Sequence, residues 1–262
     1  MTTNPTTVSL VLGSGGARGL AHIGVIRVLE ERGYKITSIA GCSVGALVGG
    51  IYAAGKLDEY ENWVRNVTRF DMVNMMDIAW EGGGLVKGDR IINKMIKLVG
   101  DRQIEELPIR FTAVATELVS GREVWLSQGP LFDAIRSSCS LPLFFKPAMY
   151  KEKMLVDGGV VNPVPIAPVF DDNSDLTIAV NLGGKPANKP GDKSQKSFSA
   201  TDVAYMVFDA MQSTIARQKL AAYPPDLVIE IPRDSARTFD IDRAAELIEL
   251  GREIAIATLP QL

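Results

Sequence analysis

The stretch Ile39-Ala40-Gly41-Cys42-Ser43-Val44-Gly45-Ala46 constrains this chain more than any other. A β-branched run before it, Ile36-Thr37-Ser38-Ile39, reads as a buried strand. Gly41-Cys42-Ser43-Val44-Gly45 fits G-x-S-x-G, and the apolar segment from Ala46 to Ala54 reads as a helix. Strand, sharp turn and helix is the setting of a nucleophile elbow, which lifts a serine hydroxyl out of a sheet. Gly41 and Gly45 allow so tight a bend without a Cβ clash. Taken alone, the same pattern also fits a glycine-rich packing turn.

The run from Ile36 to Gly55 carries no charge, and by hydropathy it is long enough to cross a membrane. Its break at Gly41 favours a buried strand feeding a central helix instead. The chain has 262 residues, of which 46% are hydrophobic and 23% charged. That is enough apolar surface for the core of one α/β domain, and one domain over residues 1–262 is the expectation. The net charge is −3, with no basic stripe, so no nucleic-acid partner is expected. Two cysteines, Cys42 and Cys139, do not form a disulfide framework and point to a reducing compartment. Met1 to Thr7 has neither a basic n-region nor an apolar h-region. The expected location is therefore cytoplasmic.

Val8 to Leu12 reads as a strand, Gly13-Ser14-Gly15-Gly16-Ala17-Arg18-Gly19 as a loop, and Leu20 to Arg32 as a helix with Gly33 at its C-terminal end. With the elbow strand this makes a β-α-β unit, so its two strands are expected to be parallel. A dinucleotide site is rejected. The G-x-G-x-x-G frame starts on Ser14, and no acid for a ribose stands at the end of the second strand. The loop and the adjacent helix N-terminus still suit an anion.

Further along, Leu57 to Arg69 reads as one helix, and Asp89 as the N-cap of a helix from Arg90 to Val99. The methionine-rich stretch Asp71 to Trp80 reads as core filler or as an apolar cap over a lipid cleft. Strands are expected at Ile109–Thr116, Glu123–Leu126, Met154–Asp157, Leu176–Leu182 and Leu227–Ile231. Helices are expected at Leu131–Ser137, Asp202–Ala222 and Asp242–Thr258. Residues 183–201, with four lysines among Gly, Pro and Ser, read as a mobile surface loop. The alternation predicts an α/β fold, a three-layer α/β/α sandwich with a mainly parallel central sheet.

A serine nucleophile needs a base and an oxyanion hole. The one histidine, His22, stands directly after the glycine loop, whereas the histidine of a hydrolase triad comes late in the chain. His22 is read as structural. Asp157, at a strand end and followed by Gly158 and Gly159, is the better base.

The glycine loop, the elbow and Asp157-Gly158-Gly159 occur in that order in a chain without a usable histidine. Together they resemble the patatin-like phospholipase family. Gly19-Leu20-Ala21-His22-Ile23-Gly24-Val25, Ala115-Thr116-Glu117-Leu118, Arg136-Ser137-Ser138-Cys139-Ser140-Leu141-Pro142 and Asn162-Pro163-Val164-Pro165 resemble its bacterial members. Ser14, Ser137 and Leu143 depart from its usual glycine, alanine and glycine. The resemblance implies a lipid acyl hydrolase with Ser43 as nucleophile and Asp157 as base. It implies backbone N–H groups of Gly15 and Gly16 as oxyanion donors, with Arg18 bracing that loop, and no metal and no cofactor. The implied partner is a lipid or acyl ester, met at the inner surface of a membrane. Two rival readings are a non-catalytic protein that retains the fold and an acyltransferase sharing the serine elbow. The latter needs a histidine partner.

Overall fold

A computed structural model describes residues 5–75, 86–187 and 200–260. Its centre is an eight-stranded sheet. In chain order the strands are β1 (Thr7–Leu12), β2 (Lys35–Cys42), β3 (Arg110–Glu117), β4 (Arg122–Leu126), β5 (Ala148–Tyr150), β6 (Lys153–Asp157), β7 (Leu176–Gly184) and β8 (Leu227–Pro232). The sheet runs β5-β6-β3-β2-β1-β7-β8, with β4 also paired to β3. Strands β3, β2, β1, β7 and β8 are mutually parallel, whereas β4, β5 and β6 enter by antiparallel pairings.

The helices are α1 (Ala21–Glu31), α2 (Val44–Ala53), α3 (Leu57–Val64), α4 (Arg69–Met75), α5 (Asp89–Val99), α6 (Leu131–Ser138), α7 (Ala200–Ala222) and α8 (Ala244–Thr258). Alternation along the strands divides the core in two. Leu10 and Leu12 of β1, Ile39 of β2 and Ile178 and Val180 of β7 join the larger cluster with α1, α2 and α8. Val11, Ala40 and Ala179 point the other way, toward Val164, Ile166 and Ala216 of α7. Three layers result, as the strand and helix alternation leads one to expect.

The uncharged run from Ile36 to Gly55 is spent on β2 and α2, and no described helix is long and apolar enough to cross a membrane. Gly33 takes a φ of 77° just past α1, the left-handed turn that ends a helix.

Three local expectations differ from what is observed. The helix expected over Leu57–Arg69 stops at Val64, because Thr68 and Asp71 cap a new one. The Thr68 amide donates to Asp71 Oδ2 at 3.0 Å, and the Asp71 amide donates to Thr68 Oγ1 at 3.2 Å. This reciprocal capping box outweighs the apolar spacing. Asp89 is the first residue of α5 rather than its cap, and that position belongs to Gly88 at a φ of 83°. Of the methionine-rich stretch, residues 71–75 lie in α4, which buries none of its side chains, so this part is not core filler. Residues 76–80 lie outside the described residues, as do 188–199 of the expected loop.

Helix α1 is fixed against α8 by two glycines. A Cβ at Gly24 would stand 2.0 Å from the Ile248 carbonyl oxygen, and one at Gly251 would stand 2.1 Å from that of Ala21. Backbone lies against backbone, so neither position can make room cheaply. Gly251→Ala should destabilise the fold by about 1–3 kcal/mol, the usual range for an overpacked core. Urea unfolding checks this, and an unchanged midpoint would refute the close contact.

Candidate active site

Ser43 lies between the last residue of β2 and the first of α2, at φ 56° and ψ −125°. For a residue with a side chain this costs on the order of 1–3 kcal/mol, and the surroundings must hold it. The Ser43 amide donates to Ser138 Oγ at 2.8 Å, and Ser138 Oγ donates in turn to the Val114 carbonyl oxygen at 2.6 Å. The Cys139 thiol donates to the Ser43 carbonyl oxygen at 3.1 Å. The end of α6 thus grips both sides of the serine's backbone. The flanking glycines serve close approach. A Cβ at Gly41 would stand 2.6 Å from Ala46 Cα, and one at Gly45 would stand 2.1 Å from the Leu12 carbonyl oxygen.

Asp157 reaches the serine from the opposite direction. Strand β6 runs antiparallel to β3, and Asp157 at its end pairs one residue beyond the partner of Cys42, so it meets the carboxyl end of β2, the edge its place at a strand end suggests. Strand β4 occupies one side of β3 over residues 113–117. On the other side Val114 pairs with Cys42 of β2, and Ala115 pairs with Asp157 of β6. Strands β2 and β6 therefore meet end to end along one flank of β3, and their meeting ends carry Ser43 and Asp157. Ser43 Oγ donates to Asp157 Oδ2 at 2.5 Å.

The other carboxylate oxygen, Oδ1, accepts the Gly159 amide at 2.8 Å, and Thr116 Oγ1 donates to the Asp157 carbonyl oxygen at 3.0 Å. Asp157 is fully buried. Burial pushes its carboxyl up to about 6, against the lowering by hydrogen bonds from Ser43 and Gly159. Gly158 admits no side chain, since a Cβ there would lie 2.1 Å from the Val114 carbonyl oxygen. At Gly159 a Cβ would lie 2.1 Å from Gln212 Nε2.

The glycine loop forms the adjoining wall. The amides of Gly13, Ser14 and Ala17 donate to the carbonyl oxygens of Val180, Pro163 and Thr238. Among the described residues no acceptor takes the intervening amides of Gly15 and Gly16, and both residues line the pocket beside Ser43. Gly16 has a φ of 58°, and a Cβ on Gly15 would lie 2.6 Å from that of Leu182. Arg18 is buried under this loop. Its Nε donates to the Gly15 carbonyl oxygen and its Nη1 to that of Arg233, each at 3.0 Å, and its Nη2 pairs with Asp209. Residues 16–20 form a 3-10 turn rather than an open loop.

His22 is fully buried, and its Nε2 donates to the Gly13 carbonyl oxygen at 2.9 Å. Nδ1 therefore carries no proton, and it has no partner among the described residues. Burial lowers the imidazole to about 4. The ring supports the residue that opens the glycine loop.

Ser138, Thr116, Asp209 and Gln212 carry no motif signal that assigns them a role. The segment around Ser138 matches the family pattern, yet its spacing says nothing of a bond to the Ser43 amide. Asp209 and Gln212 reach the pocket from a helix far along the chain. Ser14, which stands where glycine is usual, meets Gln212 through its hydroxyl.

Residues 10–170 match the family model described as patatin-like phospholipase. An uncharacterised NTE family protein of Mycobacterium tuberculosis is 35% identical over an alignment covering 96% of this chain and 91% of that protein. The lysophospholipase nte1 of Emericella nidulans is 31% identical across 70% of this chain, which is 12% of its own length. VipD from Legionella pneumophila shares the fold at a TM-score of 0.50 and 13% identity, covering 97% of this chain and 66% of that one.

The raised carboxyl of Asp157 makes stability depend on pH. The unfolded value is about 3.9, and the folded value is about 6. Between them the native state holds a proton that the unfolded chain releases, so this group removes stability as pH rises through the window. His22 acts with the opposite sign, its lowered value adding stability as pH rises from about 4 to about 6.5. Asp157→Asn isolates the first effect. Its stability relative to wild type should rise by up to about 3 kcal/mol between pH ~4 and pH ~8, measured by urea unfolding at each pH. A pH-independent difference would show that Asp157 is not perturbed.

Proposed function

Because the chain belongs to the patatin-like phospholipase family, we propose that it hydrolyses lipid acyl esters with Ser43 and Asp157 as a two-residue catalytic unit. The direct bond from Ser43 Oγ to a fully buried Asp157 carboxylate carries this reading. An ordinary aspartate is a weak base for a hydroxyl. Burial brings Asp157 toward neutrality, closer to the value that suits a base at working pH.

In the first half-reaction Ser43 Oγ bonds to the ester carbonyl carbon while its proton passes to Asp157. The carbonyl oxygen takes the negative charge and receives hydrogen bonds from the amides of Gly15 and Gly16. Collapse expels the alcohol, which takes the proton from Asp157, and an acyl-serine remains. In the second half, Asp157 removes a proton from water as the water attacks. The fatty acid then leaves and Ser43 Oγ recovers its proton. Arg18 keeps the Gly15 carbonyl turned away from the pocket, so that the two amides face it. Losing one such donor commonly costs about 10²–10³ in kcat.

Phospholipids and lysophospholipids are the proposed substrates. The lysophospholipase relatives favour this, although the chain spans only a small part of their length. A cytoplasmic protein that touches the membrane peripherally fits such substrates. The acyltransferase reading loses ground, because His22 is sealed beneath the loop and committed to Gly13.

Ser43→Ala should abolish ester turnover and fluorophosphonate labelling while the fold is retained. Asp157→Asn should lower kcat by several orders of magnitude with KM little changed. His22→Asn should keep measurable turnover. The acidic limb of the pH–rate profile should fall near pH 6, where Asp157 protonates. Labelling that persists in Ser43→Ala, or near-normal kcat in Asp157→Asn, would overturn the assignment.

A further inference from the structure

The pocket over Ser43 holds about 40 Å³. That is room for a few water molecules, whereas ligand pockets occupy roughly 300 Å³ or more. Helix α7 closes it. Tyr205, Phe208, Asp209 and Gln212 on its inner face line the pocket, and two of them fasten it to the glycine loop. Asp209 pairs with Arg18, and Gln212 meets Ser14.

The outer face of the same helix is apolar. Val203, Met206, Val207 and Met211 recur at helical spacing and are each about half exposed. From Val203 to Ala216 the one charged side chain is Asp209, which turns inward to Arg18. An apolar stripe on the exposed side of a helix whose other face is already packed on the fold marks a surface for a further partner.

The apolar surface continues beyond α7. The Phe239 ring lies 5.6 Å from Tyr205 and 4.4 Å from Phe144, between centroids. Next to Phe144, Leu143 is 65% exposed and holds a φ of 67°, where the family usually has glycine. A bulky apolar residue kept both strained and exposed calls for a use outside the folded chain.

We propose that the outer stripe of α7 docks on a zwitterionic lipid surface, and that displacement of α7 there opens the pocket over Ser43. The proposal rests on the lipid-hydrolase reading and names the partner that regulates the site. A lipid surface fits better than a protein because the stripe offers methionine and valine with no hydrogen-bonding side chain among them, whereas protein interfaces are threaded with hydrogen bonds. It also offers no cation, so headgroup charge contributes little. Continuity from stripe to pocket wall places the lipid beside the serine.

The test compares wild type with Met206→Ser/Val207→Ser, two surface positions outside the pocket lining. Wild type should co-sediment with phosphatidylcholine vesicles, and raised salt or added anionic lipid should change binding less than twofold. The variant should bind at least tenfold more weakly while cleaving a water-soluble p-nitrophenyl ester as well as wild type does. Vesicles should speed fluorophosphonate labelling of Ser43 severalfold in wild type and not in the variant. An environment-sensitive dye on Met211→Cys should shift to the blue on vesicles, and one on Val119→Cys should not. Binding that survives in the variant, binding only to anionic vesicles, or a stripe that mediates self-association without vesicle binding would each overturn the proposal. Binding does not depend on turnover. Normal docking without cleavage of any ester would therefore fault the hydrolase reading alone, and soluble-ester cleavage without docking would fault this one alone.

Discussion

The site depends on the pairing of two neighbouring residues of one strand. Val114 and Ala115 of β3 bind the ends of β2 and β6, and those ends carry the serine and the carboxylate. A parallel strand and an antiparallel strand thus meet head-on and bring the two side chains together. This junction sets their separation by sheet register rather than by side-chain reach. A one-residue slip would turn every side chain of β6 to the other face and take Asp157 out of the pocket. The backbone bonds that fix this register also run through the site. The Val114 carbonyl receives Ser138 Oγ, and that hydroxyl receives the Ser43 amide.

Around this junction the fold keeps several unfavourable conditions. A serine is held at positive φ, a carboxyl is buried with its pKa displaced, and an imidazole is sealed away with one nitrogen unpartnered among the described residues. Each would relax if its surroundings were loose. The rigidity comes from the larger core, where α1 and α8 touch backbone to backbone through Gly24 and Gly251, and from the α6 end that clamps Ser43. Arg18 extends this restraint to the glycine loop by binding three separate segments.

Much of this was legible in the sequence because the information is local. Strand, turn and helix around Ser43 follow from apolar runs and two glycines, and the parallel β1–β2 pair follows from the length of the crossover. What escaped is what depends on distant partners. No pattern in residues 153–157 says that this strand runs antiparallel, so the sequence places Asp157 at a strand end without showing that β6 meets β2 end to end. The break between α3 and α4 does not follow from the apolar spacing of residues 57–69, because it rests on the Thr68–Asp71 cap. Asp209 and Gln212 belong to a stretch that reads only as a long helix until α7 is laid across the pocket.

The junction on β3 has a consequence for biosynthesis. Ser43 and Asp157 stand 114 positions apart in the chain. Contacts of such long range form late, since the intervening chain must be ordered before they give any return. A ribosome-bound fragment that already contains the complete elbow still lacks β6. Its serine lacks the Asp157 carboxylate that accepts its hydroxyl proton in the folded chain. On the proposed mechanism the capacity to attack an ester arrives with closure of the sheet, so a nascent or misfolded copy would carry the nucleophile and be harmless to the lipids around it.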